Sequence, residues 1–251
     1  MSKKTEQQTS FAIIADIHGN RWALEAVLHD IDRRSIQQIV NLGDHLTGPL
    51  DPVGTADILI ARDMVNIYGN DDRVLFSPRE ELSPSQRHVL EQLSPAHLDW
   101  LRNLPTSTVI ADELFICHGD LFDAPYLLEQ VEVAGVFLRS TREIEASVAN
   151  IAQPVILSGH SHIPRTVALP GGKLLVNPGS VGLPAYTMDE PIPYAMESGS
   201  AHARYALLHK LPNGWQVEHV QIPYASEEAA RAARSNQRAD WAEWLTTGRA
   251  R

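Results

Sequence analysis

Apolar residues fall into short runs along this chain, and each run breaks off abruptly into a polar, glycine-containing stretch. The run 11–15, FAIIA, leads into Asp16-Ile17-His18-Gly19-Asn20, and Leu24, Val27, Leu28 and Ile31 then recur at helical spacing, predicting an amphipathic helix over 21–33. The next run, 39–42, ends in Gly43-Asp44-His45. Asp51-Pro52 then supplies the N-cap and first-turn proline of a helix expected to reach about residue 64. A third run, 65–68, ends in Gly69-Asn70-Asp71-Asp72. Strands alternating with helices predict right-handed β-α-β units in a largely parallel sheet, whose ligand sites lie beyond the carboxyl ends of the strands. Three polar strand ends are thereby expected to converge.

From Ser77 the pattern turns to polar helices, with Ser83-Pro84 and Ser94-Pro95 as two N-cap and proline pairs; this insertion is expected to cover the rim of the site. Paired strands follow at 106–110 and 114–117, the second ending in His118-Gly119-Asp120. Residues 126–137 and 141–152 read as helical, although Gly135 interrupts the first, and a short strand at 154–157 runs into Gly159-His160-Ser161-His162. Beyond it the chain reads as antiparallel, with hairpins over 165–176 around Gly171-Gly172 and over 204–222 around Asn213-Gly214. The proline-rich stretch 183–201 reads as a long loop. A charged helix is expected over 226–245, its Trp241, Trp244 and Leu245 forming an i, i+3, i+4 patch to be covered by the rest of the chain or by a second copy in a homo-oligomer.

Composition narrows the chemistry. With 43% hydrophobic residues over 251 positions, one sizeable core is expected: a domain over 11–225, preceded by a flexible segment 1–10 and followed by a helical extension 226–251. Lys and Arg number 21 against 31 Asp and Glu, a net charge of −10 that argues against broad nucleic-acid binding. The lone Cys117 excludes internal disulfides and multi-thiolate zinc sites. The first ten residues lack the apolar stretch of a signal peptide, and no window is long and apolar enough to span a bilayer, so a cytoplasmic, non-membrane protein is expected.

What the strand ends carry is a set of hard and borderline donors: Asp16, His18, Asp44, Asn70, His118, His160 and His162. Carboxylate oxygen with neutral imidazole nitrogen suits Mn, Fe, Zn or Ni better than calcium. If the strand pattern continues through them, Asp16 and His18 share a face while Ile17 enters the core. The remaining histidines, His29, His88, His97, His202, His209 and His219, read as structural or solvated, and Asn177 and Ser180 as turn residues near the site.

The order DIHGN, GDHLTGP, GNDD, CHGD, GHSH and NPGS resembles the calcineurin-like metallophosphoesterases over residues 11–222, and within them the small bacterial branch of YfcE-like phosphodiesterases and diadenosine tetraphosphatases. The resemblance implies a sandwich of two mixed sheets flanked by helices, in four layers. It implies two divalent metal ions, one held by Asp16, His18 and His162, the other by Asn70, His118 and His160, with Asp44 bridging. The activity implied is hydrolysis of a small phosphorylated substrate, a nucleotide included; a dinucleoside polyphosphate hydrolase and a protein-binding scaffold of the same fold, as in a retromer subunit, are the alternatives. One position departs from the family. Asp71 stands where phosphomonoesterases carry a His that approaches the leaving group, and His45, beside Asp44, is the other candidate for that role although strand alternation turns it away.

Overall fold

Why the first apolar run is continuous rather than alternating becomes clear from what covers its two faces. In the computed structural model, which describes residues 9–119 and 126–250, β1 (Ser10–Ile14) is sandwiched between a helix layer and a second sheet. Ala12 and Ile14 pack against α1 (Arg21–Arg33), while Phe11, Ile13 and Ala15 face the second sheet. A strand buried on both faces needs apolar residues at every position. The helix buries the predicted stripe of Leu24, Val27, Leu28 and Ile31, and the Asn20 side chain caps it by accepting from the Ala23 amide.

The first sheet continues through β2 (Gln38–Asn41), then α2 (Pro52–Ala61), capped by Asp51, and the short β3 (Val65–Asn66). After α3 (Asn70–Val74), the insertion forms α4 (Pro84–Gln92) and α5 (Pro95–Arg102), each capped by the serine before its proline. Next come β4 (Ser107–Ile110), β5 (Leu114–Cys117), β6 (Glu129–Glu132), β7 (Gly135–Leu138), α6 (Thr141–Ser147) and β8 (Val155–Leu157). The remainder is β9 (Arg165–Ala168), β10 (Leu174–Asn177), β11 (Ala185–Met188), β12 (Tyr194–Glu197), β13 (Ala203–Leu211), β14 (Gly214–Ile222), α7 (Ser226–Ser235) and α8 (Ala239–Thr247).

Two five-stranded sheets result, ordered β14-β13-β1-β2-β3 and β4-β5-β8-β10-β9. Each has a parallel trio, β1-β2-β3 and β5-β8-β10, bordered by antiparallel strands, so the sheets are mixed rather than largely parallel. Their facing surfaces interdigitate through Ile13, Val40, Leu42, Ile116, Leu157 and Leu208, while α1 covers one outer face and α6 the other through Ile144 and Val148. The four-layer sandwich is the fold expected. No helix among the described residues is long and apolar enough to cross a membrane.

Four expectations are corrected. Residues 129–138 are a hairpin, not a helix: Glu132 pairs with Gly135, whose φ of +133° suits glycine, and the turn leaves Val133 96% exposed. Buried Glu129 is fixed by Arg165 at 2.6 Å, a pairing across 36 positions that no local pattern announces. The helix expected over 141–152 stops at Ser147, and the loop over 183–201 contains the β11–β12 hairpin. The tail is two helices rather than one, and Trp241, Trp244 and Leu245 are covered by Leu50, Leu183 and Ala185 of the same chain. The segment expected to be flexible at the N-terminus lies, up to residue 8, outside the described residues, as does Asp120.

Candidate metal centre

Both sheets end at one place, but the side chains reach it by a different route from strand alternation. Strand β1 stops at Ile14, and Asp16 (φ +55°) and His18 (φ +52°) are in the left-handed region, as are Asp44, His160 and His162. Each such non-glycine residue costs of order 1–3 kcal/mol and persists only where its surroundings over-determine it. Here amides of one strand end bond carbonyls of the next: Asp16 N donates to Gly43 O at 3.0 Å, and both Ile17 N and His18 N donate to Asp44 O at 2.9 and 3.0 Å. Ile17 is fully buried in the core, and Asp16 and His18 are buried beside it with their backbone in the left-handed region rather than in a continuing strand.

Three imidazoles are then fixed in the same tautomer. His18, His118 and His162 donate from Nδ1 to the backbone carbonyls of Thr47 (3.0 Å), Leu42 (2.7 Å) and Leu183 (2.7 Å). Their Nε2 atoms turn inward. Those of His18 and His162 lie 3.1 Å apart; as neutral rings both are bare acceptors there, an arrangement that repels unless an electrophile takes both lone pairs. The Asp44 Oδ2 atom is 3.1 Å from His118 Nε2 and 4.0 Å from His18 Nε2, and Asp16 Oδ1 is 3.5 Å from His162 Nε2. Ligand atoms of Asp16, His18 and His162 lie within 4.8 Å of one another, as do those of Asp44, His118 and His160 and those of His18, Asp44 and Asp71. The buried Asn70 Oδ1 has no hydrogen-bond partner. An orphaned acceptor beside carboxylates and inward-facing imidazole nitrogens is a donor set that fits divalent cations.

Without a cation these groups perturb one another strongly. Burial and the nearby Asp44 charge push Asp16 up to about 8, although His118 opposes the rise. Burial alone would also raise Asp44, yet His118, hydrogen-bonded to it, and His18 hold it well below the usual carboxylate range. Burial works to lower His118, but Asp44 outweighs it and pushes the imidazole up to about 10. Burial, seconded by His18, holds His162 well below its ordinary value.

Of the two other predicted residues, Asp71 lines the pocket, its Oδ1 accepting from Asn70 Nδ2 at 3.0 Å, and burial with the Asp44 charge pushes it up to about 7. His45 does not reach the site. It is fully buried, with Nδ1 2.6 Å from Asp72 Oδ2 and its ring edge-on to Trp100. Asp72 is the more informative residue: its carboxylate also accepts from the amides of Asp44 (3.0 Å), His45 (2.9 Å) and Gly69 (3.0 Å), tying the second strand end to the third. The chains approach so closely here that a Cβ on Gly69 would collide with the Asp44 carboxylate.

Other supports carry no sequence signal beyond their residue type. The Ser180 hydroxyl donates to Asp16 O at 2.7 Å and accepts from Leu183 N, and Asn177 Nδ2 donates to Gly159 O and Ser161 Oγ, so both residues brace the ligand loops rather than only shaping their turn. The Tyr126 ring lies 4.8 Å from that of His160 and the Tyr186 ring 4.7 Å from that of His162; the Tyr126 hydroxyl joins those of Tyr186 and Tyr194. The pocket, about 260 Å³, is closed on its far side by Arg238, Trp241 and Trp244 of the tail. Trp241 seats against Gly48, where a Cβ would strike the indole.

Comparison with known proteins agrees with this geometry. An uncharacterised protein of Methanocaldococcus jannaschii is 25% identical over 272 residues, covering 96% of this chain and 99% of its own length. A metallophosphoesterase of Sphaerobacter thermophilus superposes with a TM-score of 0.70 at 21% identity, covering 94% of this chain and all of its own, and a hypothetical protein of Pyrococcus horikoshii with 0.73 at 18%, covering 96% and 99%. The family model described as the Calcineurin-like phosphoesterase superfamily domain matches residues 10–197, which takes in every strand end described above: this chain belongs to the calcineurin-like phosphoesterases.

Proposed function

We propose that this chain hydrolyses phosphoric esters or anhydrides with two divalent transition-metal ions, Mn, Fe, Zn or Ni, acting on a small, nucleotide-like substrate. The observation that carries the reading is the pair of bare Nε2 atoms of His18 and His162, 3.1 Å apart beside Asp16. Asp16, His18 and His162 would hold one ion, and Asn70, His118 and His160 the other. Asp44 would bridge: its Oδ1 is occupied by the Asp71 amide at 2.8 Å, which aims Oδ2 at both clusters. When bound, such a pair supplies Lewis-acid polarisation of a phosphoryl group and a hydroxide nucleophile at neutral pH. The protein supplies fixed positions. Its backbone carbonyls hold three imidazoles in the ligating tautomer, so little reorganisation remains at the moment of reaction. Asn70 keeps Oδ1 for the metal side and spends its amide on Asp71 rather than on a phosphate. A protein-binding scaffold would have no use for five strained ligand residues aimed into a pocket.

Metal analysis of the purified chain, with hydrolysis of bis(4-nitrophenyl) phosphate, tests the reading. Close to two ions per chain and hydrolysis that tracks them are expected. Asp44→Ala should lose both ions and activity, since it removes the shared ligand. Full metal content and rate in that variant would overturn the assignment.

A further inference from the structure

Residues 226–250 lie beyond the part of the chain that matches the family, yet they build one side of the pocket, and the ring of contacts they make encloses more than the metal centre needs. A second cavity of about 390 Å³ lies beside the first, lined by Pro49, Pro84, His88, Asn236 and Gln237. Arg238 and Ser85 line both cavities, and Arg238 Nη1 donates to Ser85 Oγ at 2.9 Å, joining the tail to α4 across the boundary. Small-ligand clefts are commonly of roughly 300–1,000 Å³, so the first cavity alone is undersized for anything beyond a phosphoryl group with a small substituent, whereas the two together fall within that range.

One cation stands at the boundary. Among the described residues lining the first pocket, Arg238 is the one Lys or Arg side chain, set against Asp44 and Asp71. It is held rather than free: Asp240 accepts from Nε and Nη2, and Trp241 lies under the guanidinium at 5.5 Å. A guanidinium pre-positioned in this way retains donors for a phosphate oxygen at little entropic cost. The second cavity beyond it, between two prolines and a group of polar side chains, offers apolar faces with hydrogen-bonding edges, as a nucleoside requires.

Resting on the function proposed above, we infer that the substrate has two parts: a reacting phosphoryl group at the metal centre and a nucleoside moiety in the second cavity, with Arg238 as the anion contact between them. Arg238 and Ser85 are thus specificity residues for nucleoside phosphodiesters over simple ones.

Metal-loaded full-length protein would be assayed with thymidine 5′-(4-nitrophenyl phosphate) and methyl 4-nitrophenyl phosphate, which share a leaving group. Arg238→Gln should raise KM for the nucleoside ester about tenfold with kcat within about twofold, and raise it for the methyl ester by a clearly smaller factor, since that ester meets the guanidinium through its phosphoryl oxygen alone. Ser85→Phe, which adds bulk where the two cavities share their lining, should act in the same direction, with thermal melts confirming that both variants fold. Calorimetric binding supplies a readout independent of turnover: adenosine 5′-monophosphate should bind the wild type about tenfold more tightly than inorganic phosphate, Arg238→Gln should weaken both ligands, and Ser85→Phe should erase the ratio. If the wild type hydrolyses neither ester, the phosphoesterase reading falls. If it hydrolyses both while the two variants alter them equally or not at all, only the two-part substrate is overturned.

Discussion

Asp44 and Asp71 are both enclosed carboxyls in one pocket, and neighbours rather than residue type set them apart: His118 and His18 hold Asp44 down, whereas burial and Asp44 itself push Asp71 up to about 7. Metal binding should invert part of this pattern. In the metal-free protein His118 keeps its proton up to about 10 and Asp16 up to about 8, and a ligand must lose its proton to bind. Uptake at pH 7 should therefore release at least one proton per chain, and apparent affinity should weaken as pH falls below about 10 and more steeply below about 8; calorimetry in buffers of different ionisation enthalpy measures the release, and none detected would mean these groups are not ligands. Two bound cations favour the charged form of Asp71, which then cannot protonate a leaving group. General acid catalysis is worth about 10² to 10⁴ in rate, so aryl esters and anhydrides should far outpace alkyl monoesters, with rate rising steeply as the leaving group becomes more acidic. Asp71→His should flatten that slope. A wild-type rate insensitive to leaving-group acidity, with chemistry limiting, would point to another donor, and buried His45 on Asp72 is poorly placed to be one.

Strand ends and the helices behind them were legible in the sequence because each carries its own local signal, as the 21–33 stripe and the Ser-Pro caps at 83–84 and 94–95 do. The elements misread are those whose form is set from far away. Glu129 belongs to a hairpin because Arg165 waits for it, and β11–β12 exists where its tyrosines can meet Tyr126. These same elements support the metal-site histidines, so sequence located the candidate ligands and left most of what orients them unread. Even where a residue was expected to face the site, as Asp16 and His18 were, the left-handed backbone that aims it came as a tertiary fact. The bracing of the loops gives a prediction at this scale. Ser180→Ala leaves Asp16 O and Leu183 N without their buried partner, which should cost about 1–3 kcal/mol in denaturant unfolding. The same variant should weaken metal binding, because the Ser180 hydroxyl anchors both Asp16 and Leu183, whose carbonyl accepts from His162; unchanged stability and metal content would show the brace to be dispensable.

On the scale of the whole molecule, the candidate ligands span positions 16 to 162 and are drawn from the ends of both sheets, so a centre built from them can form only when the sandwich is closed. Metal affinity is then folding free energy. An ion that binds the folded chain alone stabilises it by RT ln(1 + [L]/Kd), about 2.7 kcal/mol when the free ion is at 100 times its Kd. For a chain of this size each kcal/mol moves the melting midpoint by roughly 2–4 °C, so stripping even one such site should lower Tm by about 5–11 °C. The facing Nε2 atoms of His18 and His162, left without a cation, add repulsion in the same direction. Asp44→Ala should melt near the chelated wild type and respond little to chelator. Restoration then discriminates among ions: Mn, Fe, Zn or Ni should recover the midpoint, whereas Ca, which prefers oxygen ligands in sixes to eights, should not satisfy a cage whose inward-facing donors include three imidazole nitrogens. Equal rescue by Ca would mean that the cations sit among the carboxylates alone, and that the orientation of His18, His118 and His162 serves packing rather than metal.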